Sequence, residues 1–129
     1  MPQASDNDML EEMFFLRERF MSRLTAEKPD QYPTWPIDLS DKRSQQHVRD
    51  MALRGVEEMF EALQHLKNWK PHRDTEVREF DKEEFIEEIV DAFNYFLSVL
   101  VLTGVSAADL HNAYLKKDSI IHDRLENGY

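Results

Sequence analysis

Apolar residues recur at helical spacing in four separate segments of the chain. Met9, Met13, Leu16, Phe20 and Leu24 repeat every three or four residues. Ser5 to Asp8 supplies capping residues in front of them, so the spacing predicts a first helix over roughly 8–25. Val48, Met51, Ala52, Gly55, Val56, Met59, Phe60, Leu63 and Leu66 predict a second helix over roughly 41–68, capped by Ser40 and ended by Pro71. A third helix is predicted over roughly 82–103, where Asp81 and Glu84 have capping-box spacing and Gly104 suits the C-terminal cap. Ser106 and Asp109 open a fourth over roughly 107–126. Pro29, Pro33 and Pro36 break helical continuity across 26–39, where Tyr32 and Trp35 are candidate anchors of an ordered loop. Pro71 to Phe80 reads as a charged loop. No strand pattern intervenes. The expectation is an all-α helical bundle of four main helices in one domain spanning 1–129.

Two acidic stretches lie on the second and third helices: Glu57-Glu58-Met59-Phe60-Glu61 and Glu87-Glu88-Ile89-Val90-Asp91. Residues at i and i+3 share a helix face. Glu58 with Glu61, and Glu88 with Asp91, therefore form two carboxylate pairs, which converge if the helices pack antiparallel. Carboxylate oxygens are the ligands that Mg²⁺ and Mn²⁺ prefer, and Mg²⁺ commonly completes its shell with substrate phosphates. The third helix is apolar nearly all round after Asp91, which places it centrally and predicts a buried Asp91. A buried unpaired carboxylate is costly, and a bound cation removes that cost. A solvated acidic face fits Glu83, Glu84 and Glu87 well and Asp91 poorly.

Composition narrows the alternatives. The 129 residues are 41% hydrophobic with only three glycines, which favours helices over turn-rich β structure. No cysteine is present, so thiolate metal sites and disulfides are excluded and a cytoplasmic location is compatible. No signal-peptide pattern opens the sequence, and the longest uncharged apolar run, Ala92 to Val105, is too short to span a bilayer. A net charge of −10 repels nucleic-acid polymers and argues against such a partner. It also repels a free nucleoside triphosphate, so such a substrate requires metal ions and local cations. Lys67, Lys70, Arg73 and Arg78 cluster after the first acidic stretch, and Lys116, Lys117 and Arg124 lie on the fourth helix. Phosphate binding and plain solubilising charge both fit them. His122 sits near the second group. Trp69 fits either packing or base stacking. No E-x-x-H pair occurs, which counts against a di-iron bundle, and no phosphate-binding Gly-rich loop or G-x-S-x-G is present.

The order Glu58-x-x-Glu61 then Glu88-x-x-Asp91, with Glu57 completing E-E-x-x-E, resembles the all-α NTP pyrophosphatase superfamily. That superfamily includes MazG-like proteins, dimeric dUTPases and phage dCTP/dUTP pyrophosphatases. Trp69-Lys70 looks like the W-K element of the last two. The C-terminus is similar to their K-N-x-x-N-x-x-R-Q-x-x-G-Y ending: Lys117, Arg124, Gly128 and Tyr129 match, whereas Asp118, Ile121 and Leu125 depart from it. The resemblance runs from about Met9 to Tyr129. It implies hydrolysis of a deoxynucleoside triphosphate to monophosphate and pyrophosphate. Glu58, Glu61, Glu88 and Asp91 are then Mg²⁺ ligands, with Mn²⁺ able to substitute, and Glu57 or Glu58 is the general base. Lys70, Lys117, His122 and Arg124 become phosphate or substrate contacts. A homo-oligomer is implied, a dimer or dimer of dimers, in the host cytoplasm if phage-encoded.

For the base, the resemblance favours dUTP or dCTP. Arg17 and Met21 occupy places where that branch has glutamines, and Asn94 stands where it often has histidine. A guanidinium only donates hydrogen bonds and matches the paired acceptors of guanine, so dGTP or another purine nucleotide is the alternative. An acidic helical adaptor with a degenerate site is the alternative of a different class.

Overall fold

The computed structural model describes residues 8–77 and 79–128. It contains α1 (Met9–Glu27), α2 (Lys42–Leu63), α3 (Lys82–Leu102) and α4 (Ala107–Asn127), and no strand among the described residues. The all-α class and the four helices are as the sequence predicts. Arg78 and Tyr129, and the capping candidates before Asp8, lie outside the described residues.

Each helix begins where a side-chain oxygen takes up an orphan backbone N–H. Asp8 accepts from the Glu11 N–H at 2.9 Å, and Asp81 accepts from the Glu84 N–H at 3.1 Å. On α4 the capping box is complete: Ser106 Oγ accepts from the Asp109 N–H at 3.0 Å, and Asp109 Oδ2 accepts from the Ser106 N–H at 3.1 Å. The cap of α2 is Asp41, whose carboxylate accepts from the Ser44 N–H at 3.2 Å, and not Ser40 as expected. Ser40 is engaged elsewhere, donating both its N–H and its hydroxyl to Asp38 Oδ1 at 2.9 and 2.6 Å.

Helix α2 also stops earlier than its apolar pattern predicts, at Leu63 and not near residue 68. Its last turn tightens: Gln64, His65 and Leu66 donate to the carbonyls of Glu61, Ala62 and Leu63, three residues back. Asn68 then adopts a left-handed backbone, φ +63°, a conformation Asn tolerates better than most residues. The chain has left the helix before Pro71 can act.

The Pro-rich segment is ordered. Tyr32 N–H donates to the Lys28 carbonyl at 3.1 Å, Thr25 Oγ1 to the Pro33 carbonyl at 3.4 Å, and Ile37 N–H to the Leu102 carbonyl at 2.9 Å. The Trp35–Pro36 peptide is cis. Gly104, at φ +78°, ends the turn after α3, and a Cβ there would stand 3.2 Å from Pro36 Cβ. Positive φ and this close approach both favour glycine.

Packing divides the chain into two compact units. One comprises the segment ending at Ile37 and the segment starting at Leu100, and includes α1 and α4. Phe14 and Met21 of α1 are buried in it, and a cavity of about 760 Å³ is lined by the first half of α1, from Asp8 to Glu18, and the start of α4, from Ser106 to His111. The other, Asp38–Val99, holds α2 and most of α3. There Met51, Gly55 and Ala62 of α2 and Ala92 and Leu97 of α3 are buried. Gly55 permits the close approach of these two helices: an added Cβ would meet Phe96 Cε1 at 2.9 Å and Tyr95 Cβ at 3.2 Å. Among the described residues, no single helix is long and apolar enough to cross a membrane.

Candidate metal centre

The pairing of Gly55 with Phe96, and of Glu58 with Asp91 and Glu88, runs the residue numbers in opposite directions, so α2 and α3 are antiparallel. Glu58 lies three residues past Gly55, on the turn where the backbones come close. The register lets carboxylates from both helices meet. One oxygen each from Glu58, Glu88 and Asp91 lies within 4.8 Å of the others. Glu58 and Glu88 are half-buried, whereas Asp91 is exposed. The expectation of a buried Asp91 is therefore corrected. Phe85, Ile89, Ala92 and Phe96 take the inward direction of α3, and Asp91, one residue from Ala92, is turned roughly 100° to the side.

Three acids this close repel one another when ionised. The Glu58 carboxyl is held above its ordinary range, first by partial burial, then by Glu61, with which it shares a side-chain hydrogen bond, and then by Asp91 and Glu88. The ion pairs Arg23–Glu27, Arg54–Asp50 and His122–Asp118 do not reach these acids. A divalent cation fits this donor set: all ligands are hard oxygens, the charge is unbalanced, and the open side leaves room for water or phosphate. Glu61 is exposed and acts on the cluster through Glu58, its own oxygens lying outside the group of three.

The other candidates distribute over both units. Glu57 is exposed on α2, and Asn94 is half-buried one turn beyond Asp91. Lys70 is exposed and lines a cleft of about 150 Å³ with Asn68, Trp69 and Arg73. Beside it, Phe60, Leu63, Gln64, Leu66, Lys67 and Trp69 line a larger cavity of about 960 Å³. Trp69 is 68% exposed, so it does not serve as the packing residue that one reading of the sequence allowed. Phe60 and Leu63 read as core positions in the pattern, and their place in a cavity wall is legible only once α2 is seen to end at Leu63.

In the other unit, Arg17 lies over the Phe20 ring, 4.8 Å from its centroid. Lys117 and Arg124 are exposed on α4, seven residues apart and on one face. His122 falls roughly 140–160° round the helix from them, and its Nε2 is 3.6 Å from Asp118. A straight α4 does not present His122 together with the two cations.

No family model matches the chain, and no curated protein or solved structure does either.

Proposed function

We propose that the protein is a divalent-cation-dependent nucleoside triphosphate pyrophosphatase acting on a deoxynucleotide. The observation that carries this reading is the convergence of Glu58, Glu88 and Asp91 from two antiparallel helices with no cation among their described ion-pair partners. Those three acids hold Mg²⁺ or Mn²⁺, and Glu61 supports them through Glu58. When bound, the ion neutralises phosphate charge and makes water more acidic.

The chain's own groups supply the rest. Water adds to the α-phosphorus, the bond from that phosphorus to the α,β-bridging oxygen breaks, and pyrophosphate leaves. The water proton passes to a carboxylate, Glu57 or Glu58. Lys70 and Arg73, sharing one cleft, offer positive charge to a departing pyrophosphate. The exposed Trp69 ring offers a stacking surface for a base. Asn94, half-buried one turn beyond Asp91, can donate to and accept from a base. dUTP and dCTP are the first choices, with dGTP the alternative.

The test is a panel of the four canonical dNTPs and dUTP with Mg²⁺, assaying pyrophosphate separately from orthophosphate. The expected result is one pyrophosphate per monophosphate, abolished by Asp91→Asn. Absence of pyrophosphate from every nucleotide would leave the chain an acidic helical binding module.

A further inference from the structure

The pyrophosphatase chemistry makes no use of the cavity lined by α1 and α4. Its volume of about 760 Å³ falls in the range of small-molecule sites. Helix α4 opens on Ala107 and Ala108, whose methyl groups leave space across from Leu10 and Phe14 unfilled. Phe14 is buried and Leu10 half-buried, and together they make an apolar wall. Three carboxylates, Asp8, Glu11 and Glu18, share the lining with an imidazole, His111, and the described lining residues include no lysine or arginine. Their own helix does not answer these acids: the positions three and four residues from Glu11 and Glu18 hold Asn7, Asp8, Phe14, Phe15, Met21 and Ser22. The Glu11 carboxyl is held above its ordinary range, first by a side-chain hydrogen bond with Asp8 and then by the charge of Asp8. Glu18 is half-buried, where an unbalanced charge costs more than in open water. The first turns of α1 and α4 contribute only about half a positive charge each, which three carboxylates outweigh. The cavity therefore attracts cations with an apolar body.

We propose that this cavity binds a linear aliphatic polyamine, a triamine whose terminal ammonium groups reach the acids at its two ends. Spacing selects that ligand. Glu11, Phe15 and Glu18 stand at i, i+4 and i+7 on one face of α1, and Asp8 lies one turn before Glu11. The two acidic ends are thus about 10 Å apart along the helix axis. A metal ion or a single ammonium group reaches one end only. An extended saturated chain of about nine bonds, the length of a triamine with four- and three-carbon links, spans both. One terminal ammonium group then lies between Asp8 and Glu11 and the other at Glu18. The methylene groups lie on Leu10 and Phe14, and the middle ammonium group is attracted to the Phe15 ring. The site is complete within one chain and does not depend on the pyrophosphatase reading.

Isothermal titration of the full chain with spermidine at physiological salt, without nucleotide or Mg²⁺, tests the proposal. Saturable binding at one site is expected. Putrescine, whose ends are too close to reach both acidic ends at once, should bind at least about tenfold more weakly. Glu11→Gln with Glu18→Gln should weaken spermidine binding at least about tenfold with unchanged helical circular dichroism. Should that pair lose helical signal, Ala108→Arg, at an exposed position of the α4 wall, brings in a competing guanidinium and makes the same decision. Glu58→Gln with Asp91→Asn should leave spermidine binding unchanged, which separates this cavity from the carboxylate cluster on α2 and α3. Absence of saturable binding overturns the proposal. So does equal binding of spermidine and putrescine, which marks attraction to net charge only, and so does spermidine binding that survives in the folded cavity variants or is lost with Glu58 and Asp91.

Discussion

Gly55 is where a single methyl group reports on the helix contact behind the carboxylate cluster. In an isolated helix, Gly55→Ala would stabilise by about 0.5–1 kcal/mol, because alanine has less backbone freedom to lose. Here the added Cβ stands 2.9 Å from Phe96 Cε1, 3.1 Å from Phe96 Cζ and 3.2 Å from Tyr95 Cβ. The half-buried Phe96 ring can swing aside, but Tyr95 Cβ is fixed to the backbone of α3 and yields only if the helices separate. Overpacking of this kind costs about 1–3 kcal/mol. The steric term therefore outweighs the propensity term, with a net loss of about 1 kcal/mol and a fall in Tm of about 3–6 °C. Gly55→Val adds a second branch at the same point and should lose more than about 2 kcal/mol. Thermal melts followed by circular dichroism check both, and the response to Mg²⁺ should weaken in the same order, because Glu58 lies one turn away. If both variants melt at or above the wild-type temperature, the close α2–α3 contact is refuted.

Other expectations follow from particular side chains. Glu58 binds its proton more tightly in the folded chain than its ordinary value of 4.5, so the folded state is favoured below that value and loses this contribution as pH rises through the raised one. Without divalent cations, Glu58→Gln should thus melt above wild type at pH 7.5, its advantage should shrink towards pH 5, and saturating Mg²⁺ should reverse the order. Ser106→Ala removes half of the α4 capping box and should cost about 1 kcal/mol in a thermal or urea melt. Arg17→Gln should leave the dNTP ranking unchanged, with dUTP or dCTP first, because the guanidinium is engaged over Phe20. A dGTP preference that this substitution erodes would make Arg17 the base reader.

Helix starts were legible wherever a capping residue acts through its own neighbours, as at Asp8, Asp81 and Ser106–Asp109. Ser40 misled because Asp38, two residues back, captures its hydroxyl, a competition that spacing alone does not reveal. The end of α2 was hidden because Leu63 and Leu66 keep the helical period while the backbone has already tightened. Within the candidate site, the i, i+3 spacing correctly placed carboxylates on facing turns of two helices. It did not separate Glu61 from the three that converge, since that depends on the register fixed by Gly55 against Phe96. Nor did it show that Asp91 is exposed. A helix apolar nearly all round does not announce which of its directions a neighbour covers, and Ile86, Val90 and Phe93 are uncovered for the same reason.

Binding of Mn²⁺, followed by loss of the free-ion electron paramagnetic resonance signal, tests most directly whether Glu58, Glu88 and Asp91 form one cation site. The wild-type chain should bind Mn²⁺ saturably, Mg²⁺ should compete for the same site, and Glu58→Gln, Glu88→Gln and Asp91→Asn should each weaken binding at least about tenfold, whereas Glu83→Gln should not. Binding that survives all three substitutions, or wild-type protein that leaves the free-ion signal undiminished, would contradict the account.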